Sequence, residues 1–130
     1  MGKRMKEKIR QVGDLRVFRN AMDSAMVIFE TSRSFPVDER YSLTDQIRRS
    51  SRSVCANLAE AWRKRFYKAH FLSKLSDCAA EAEETRVWLQ FALKCNYISK
   101  ETFEKSDSSY DSIIGQLVIM MSRPTDWTMR

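Results

Sequence analysis

Two prolines, Pro36 and Pro124, are all that this 130-residue chain carries, and its three glycines stand at positions 2, 13 and 115. Between the prolines the chain runs with a single glycine. Such a sequence cannot supply the many tight reversals of a β-sandwich or barrel, and it lacks the composition of a disordered linker. A backbone without breakers can form long helices, and the large apolar residues recur at the helical period.

Leu15, Phe18, Met22, Ala25 and Phe29 fall three and four apart. This spacing predicts one buried stripe on a first helix over 15–33, with Asp14 as its N-cap. Pro36 cannot continue that helix and biases Phe35 away from the helical region. A second helix over 43–64, capped by Ser42, turns Leu43, Ile47, Val54, Leu58 and Ala61 inward, with Trp62 at the edge. A third over 67–95 carries Phe71, Leu75, Cys78, Ala82, Leu89 and Ala92. Asn96 tolerates a left-handed cap, and Ser99 caps a fourth helix over 100–122 that buries Phe103, Tyr110, Ile113, Leu117 and Met120.

The expected fold is all-α, an up-down-up-down four-helix bundle over 14–123, between a basic N-terminal tail (1–13) and a C-terminal tail (124–130). Met26, Ile28, Ile114 and Val118 fall off the stripes. They either widen the core or form a self-association face, and a closed homo-oligomer is expected.

Catalysis is hard to place on this chain. His70 is the sole histidine, and the residue three before it is Tyr67, so the Glu-x-x-His of a di-iron bundle is missing. Three scattered glycines form no phosphate loop. Cys55, Cys78 and Cys95 contain no C-x-x-C pair and read as buried small hydrophobes. A non-enzyme with no catalytic residue, metal or cofactor is expected. The charged opening Met1–Lys8 has no apolar signal core, and no apolar run reaches the ~18 residues of a membrane span. The expectation is a cytoplasmic protein without a membrane partner.

The net charge of +6 is unevenly spread: residues 1–68 carry +8 and residues 69–130 carry −2. The stretch 48–68 holds seven basic side chains and one acid. On a wheel at ~100° per residue with Arg48 at zero, Arg52 lies near 40°, Arg63 near 60° and Arg49 near 100°, opposite Ile47, Val54 and Leu58 at about 240–280°. Lys64, Arg65 and Lys68 extend the charge past the helix end. Arg48, Arg49, Arg52, Arg63, Lys64, Arg65 and Lys68 are therefore candidate nucleic-acid-binding residues, because guanidinium and ammonium groups neutralise phosphates and release counterions. Trp62, Phe66 and Tyr67 lie among them, and exposed rings stack on unpaired bases. The competing reading pairs the arginines with acids on a neighbouring helix or subunit. Asp77, Glu81 and Glu84 share one face of the third helix and suit that role. Asn57 and Glu60, at the border of the apolar face, are expected in interhelix or oligomer contacts, as are Trp62 and Trp88.

Several segments resemble one bacterial family. Leu15-Arg16-Val17-Phe18 with Ala21-Met22, then Phe35-Pro36 and Glu39 through Ser50, are similar to the "DL-x-V-(W/F)-x-x-A-M" and "FP-x-x-ERY-x-LT-x-QIRR" segments of the 23S rRNA intervening-sequence proteins. Val54 through Glu60 resembles "V-x-x-N-(I/L)-AE", and Glu84-Thr85, Trp88-Leu89, Phe91-Ala92-Leu93 and Tyr97-Ile98-Ser99 resemble the end of the third helix. The likeness spans about 14–122. It departs at Ala61 and Asn96, where many members carry glycine. The resemblance implies a helical protomer in a ring-like homopentamer. A distant similarity to the accessory factor of diversity-generating retroelements implies RNA or DNA, or a reverse transcriptase, as partner. No catalytic residues come with it.

Overall fold

The computed structural model describes residues 9–128. Four helices dominate: α1 (Arg16–Ser32), α2 (Leu43–Arg63), α3 (Lys68–Lys94) and α4 (Lys100–Ser122). Short 3₁₀ turns at Val12–Asp14, Val37–Glu39 and Pro124–Asp126 precede α1, join α1 to α2 and follow α4. Each helix packs on its sequence neighbours, and α1 closes on α4. Directions follow from side-chain contacts. Arg48, early in α2, meets Ser32 at the end of α1. Glu60, late in α2, meets Lys74, early in α3. Arg86, late in α3, meets Asp107, early in α4. Neighbours thus run antiparallel in an up-down-up-down four-helix bundle.

The stripes expected on α2 and α3 are buried throughout, as are Tyr110, Ile113, Leu117 and Met120 of α4. Phe103 is partly buried against the same core. Small residues (Ala21, Ala61, Ala82, Ala92) let helices approach closely, and Phe71 and Tyr110 fill the space elsewhere.

On α1 the stripe is rotated from its expected position. Val17, Ala21, Ala25, Ile28 and Ser32 are buried, Phe18 and Phe29 lie at the margin, and Met22 is exposed. Both series have helical spacing and share Ala25, and Leu15 is buried as expected; close packing takes the small Ala21 in place of Met22. Ile28 accordingly belongs to the core.

Asp14 does not cap α1. Its carboxylate accepts from the backbone N–H groups of Arg10 (3.0 Å) and Gln11 (3.2 Å), which hold it below the usual carboxylate pKa and close the turn ahead of the helix. Leu15 stands at the N-cap with no side-chain bond. Ser42 occupies the N-cap of α2, but its hydroxyl donates to Glu39 (2.6 Å), and Glu39 accepts from the Leu43 N–H instead. Ser99 does cap α4, accepting from Thr102 N–H at 3.1 Å.

Asn96 adopts φ 62°, the left-handed conformation that asparagine tolerates. Its N–H reaches Leu93 O (3.0 Å), and the Tyr97 N–H reaches Ala92 O (2.9 Å). This paired closure is a Schellman motif. Cys55 and Cys78 are buried, and burial raises their thiol pKa values to about 11 and about 12. Cys95, at the C-cap of α3, is exposed, contrary to expectation. The segments read as tails also reach the core: Ile9 and Val12 pack on it from one end of the chain and Trp127 from the other.

Candidate nucleic-acid interface

The outer face of α2 divides into three arrangements. Arg40, Arg48 and Arg52 line an open groove of about 530 Å³, together with Thr44, Asp45, Arg49, Ser53 and Ala56. Arg48 is the best fixed. Its Nε donates to Ser32 Oγ at 2.8 Å, and its guanidinium lies 4.8 Å from the centroid of the Phe29 ring. Arg33 and Arg52 approach the same ring, each at 5.9 Å. All three guanidiniums thus lie within the ~6 Å over which a ring face attracts a cation, Arg48 nearest. Arg40, Arg48 and Arg52 form no ion pair among the described residues.

Arg49 behaves differently. It pairs with Glu84, and with Glu81 at 3.5 Å, both on α3. The acid face read from the sequence thus takes up this one arginine and fixes α2 against α3. Trp88 shares Glu84, donating Nε1–H to it at 3.2 Å. Asn57 and Glu60 both meet Lys74 of α3. Glu60 accepts at 2.8 Å, which lowers its own pKa and raises that of Lys74. The Asn57 amide also donates to Ser53 O (3.0 Å), so its polar atoms are satisfied within the protomer.

The third arrangement lies at the C-terminal end of α2. Arg63, Lys64 and Lys68 are exposed. Arg65 lies 3.4 Å from the centroid of the Trp62 ring, and Trp62 packs against the core beneath it. Burial, and then the neighbouring charge of Arg63, push the Arg65 pKa below its ordinary value. Like charges are concentrated here. Arg52 and Arg63 lie eleven residues apart on one face, about 16 Å along the axis at ~1.5 Å per residue.

Residues 13–118 match the family model of the 23S rRNA-intervening sequence protein. The chain belongs to this family. A crystal structure of a protein of unknown function from the S23 ribosomal protein family of Bacteroides thetaiotaomicron is similar, with a TM-score of 0.73 and 28% sequence identity over 81% of this chain and 97% of that chain. No curated protein matches.

In this member of the 23S rRNA-intervening sequence family, the segment from Phe35 to Ser50 builds structure as well as the groove. Phe35 is buried with its ring centroid 5.6 Å from that of Tyr97. Glu39 accepts from the Tyr97 hydroxyl at 2.8 Å. Ser50 meets Thr85 of α3 at 2.8 Å inside the core. The same segment leaves Arg40 and Arg48 at the groove. Arg40 and Phe29 were missed as site residues. Arg40 precedes the second helix, and the spacing of the α1 stripe places Phe29 in the core.

Among the described residues no three His, Cys, Asp or Glu side chains come together as a metal-ligand set. No helix there is long and apolar enough to cross a membrane.

Proposed function

We propose that this protein is a non-enzymatic, homo-oligomeric helical bundle that binds nucleic acid through the outer face of α2. The observation that carries the reading is the fixing of Arg48 on Phe29 and Ser32 beside Arg40 and Arg52, with no carboxylate paired to any of the three. A guanidinium held in place loses less freedom on meeting a phosphate than a mobile one. Arg63 at the end of α2, Lys64 just beyond it and Lys68 at the start of α3 add further exposed cations.

Assembly is supported by apolar side chains on the surface. Met26 of α1 is 53% exposed, and Val118 and Ile119 of α4 are 52% and 62% exposed. Such surfaces favour symmetric self-association. The family resemblance implies a ring of five copies. An oligomer repeats the basic face, so weak sites gain avidity on a single strand. A nucleic-acid-processing enzyme such as a reverse transcriptase is the protein partner the resemblance implies.

The test separates binding from assembly. Replacing Arg48, Arg52 and Arg63 with Gln is expected to leave the mass by light scattering at a multiple of 15.3 kDa and to weaken RNA and DNA binding. A triple variant that falls to monomers, from a wild type that binds no nucleic acid, would instead place these arginines in subunit contacts and make the protein a scaffold.

A further inference from the structure

The turn between α2 and α3 exposes two adjacent aromatic rings where the fold needs none. Phe66 is 61% exposed and Tyr67 66% exposed. Four residues, Lys64 to Tyr67, make the connection, closed by the Tyr67 N–H to Lys64 O bond at 3.0 Å. That bond is made by backbone atoms, so polar side chains would serve the turn equally well. Phe66 makes no ring or cation–π contact among the described residues. Tyr67 lies 5.6 Å from the exposed His70 ring, at an interplanar angle of 47°. Scattered exposed apolar residues need no explanation, but two large aromatic side chains adjacent in sequence, the second in contact with the His70 ring, leave ring faces open to water.

The charge around them decides what that surface suits. Arg63, Lys64 and Lys68 are exposed on either side of the rings, and the nearest acids in sequence are Glu60 and Asp77. Glu60 is engaged by Lys74. An apolar protein partner would have to cover these cations at a desolvation cost. A polyanion with flat apolar faces would not.

We infer that Phe66 and Tyr67 form a base-stacking platform, and that the protein therefore selects single-stranded over duplex nucleic acid. This rests on the binding reading given above and adds the strandedness of the ligand. In a duplex the bases are already stacked on one another, and their faces are closed to a protein ring. In a single strand each base offers a π face, and stacking on an aromatic side chain discriminates little between sequences. The flanking cations would hold the phosphates, and the groove at Arg48 and Arg52 lies farther back along α2, so one strand can engage both.

The experiment compares a 20-nucleotide single-stranded RNA, the same sequence as single-stranded DNA, and its blunt DNA duplex, by fluorescence anisotropy at one salt concentration. The proteins are the wild type, a Phe66→Ala/Tyr67→Ala variant and the Arg48→Gln/Arg52→Gln/Arg63→Gln variant. Wild type is expected to bind both single strands at least tenfold more tightly than the duplex. The aromatic variant is expected to lose that preference, weakening on single strands tenfold or more and on duplex less than twofold, with oligomer mass unchanged. A wild type without single-strand preference overturns the inference, as does an aromatic variant that keeps the preference, loses affinity equally on all three ligands or changes in mass. In those cases a loss of binding in the arginine variant still upholds the basic face. If the wild type binds none of the ligands at ~50 mM salt, the binding reading itself fails and the inference falls with it.

Discussion

The guanidinium of Arg48 lies 4.8 Å from the centroid of the Phe29 ring, so a residue at the margin of the α1 stripe positions a cation on α2. Exposed cation–π contacts are worth about 0.5–1 kcal/mol. Phe29→Leu keeps the apolar contact and removes the ring. It is expected to weaken nucleic-acid binding by roughly two- to fivefold with little change in melting temperature, measured by anisotropy and by thermal denaturation.

Arg49 and Arg48 are sequence neighbours with different work. Arg49→Gln breaks the pairs with Glu81 and Glu84. Half-exposed ion pairs contribute about 0.2–1 kcal/mol, and salt screens them. The variant is expected to lose about that much stability in urea denaturation at low salt and less at ~0.5 M, with binding affinity changed less than twofold. A large loss of affinity would return Arg49 to the phosphate-binding set.

Glu39 and Tyr97 give the fold two pH-dependent limbs. The Ser42 hydroxyl first, and then the Tyr97 hydroxyl, hold the Glu39 pKa below its ordinary 4.5. Its stabilisation is therefore fully present above 4.5 and is lost as pH falls through the lower folded value. The Glu39 hydrogen bond raises the Tyr97 pKa from 10.0 to about 12. That contribution is present below 10.0 and is lost as pH rises through about 12. Tyr97→Phe is expected to flatten the alkaline limb of melting temperature against pH and to reduce the acid limb, where Ser42 still acts on Glu39, and Glu39→Gln to flatten both limbs. Unaltered limbs in both variants would show that the pair contributes nothing to stability.

Asn96 is the one described residue other than glycine with positive φ. A left-handed residue with an ordinary Cβ costs about 1–2 kcal/mol. Asn96→Ala is expected to destabilise by about 1 kcal/mol, and Asn96→Gly to be neutral or stabilising, both read by urea denaturation. An alanine variant as stable as the wild type would show that the turn relaxes.

The helices were legible wherever one apolar series had the helical period. Ile47, Val54, Leu58, Leu75, Cys78 and Leu89 have no rival series, and they are buried. On α1 two series compete, and periodicity cannot tell Ala21 and Ile28 from Met22 and Phe29. Packing distance decides between them, and packing distance is a property of the neighbouring helices. Caps were half legible for a similar reason. Asp14 and Glu39 each have several N–H and O–H donors within reach, and the folded path of the chain selects among them. The wheel placed Arg48, Arg49 and Arg52 on the outer face of α2. It could not separate them, because the partner of Arg49 lies 35 residues away and is set by the register of α2 against α3. Arg40 was invisible to a wheel that began after it.

The salt dependence of binding tests the basic face most directly. Each phosphate neutralised contributes about 0.7–0.9 to the slope of log affinity against log salt. Measured from ~50 to ~300 mM salt on a single-stranded RNA, the wild type is expected to show a steep negative slope. The Arg48→Gln/Arg52→Gln/Arg63→Gln variant, folded and of unchanged oligomer mass, is expected to bind more weakly with a slope shallower by about 2 or more for each engaged protomer. A triple variant with the affinity and slope of the wild type, or a wild type that does not bind at ~50 mM, would contradict the assignment of the α2 face to nucleic acid.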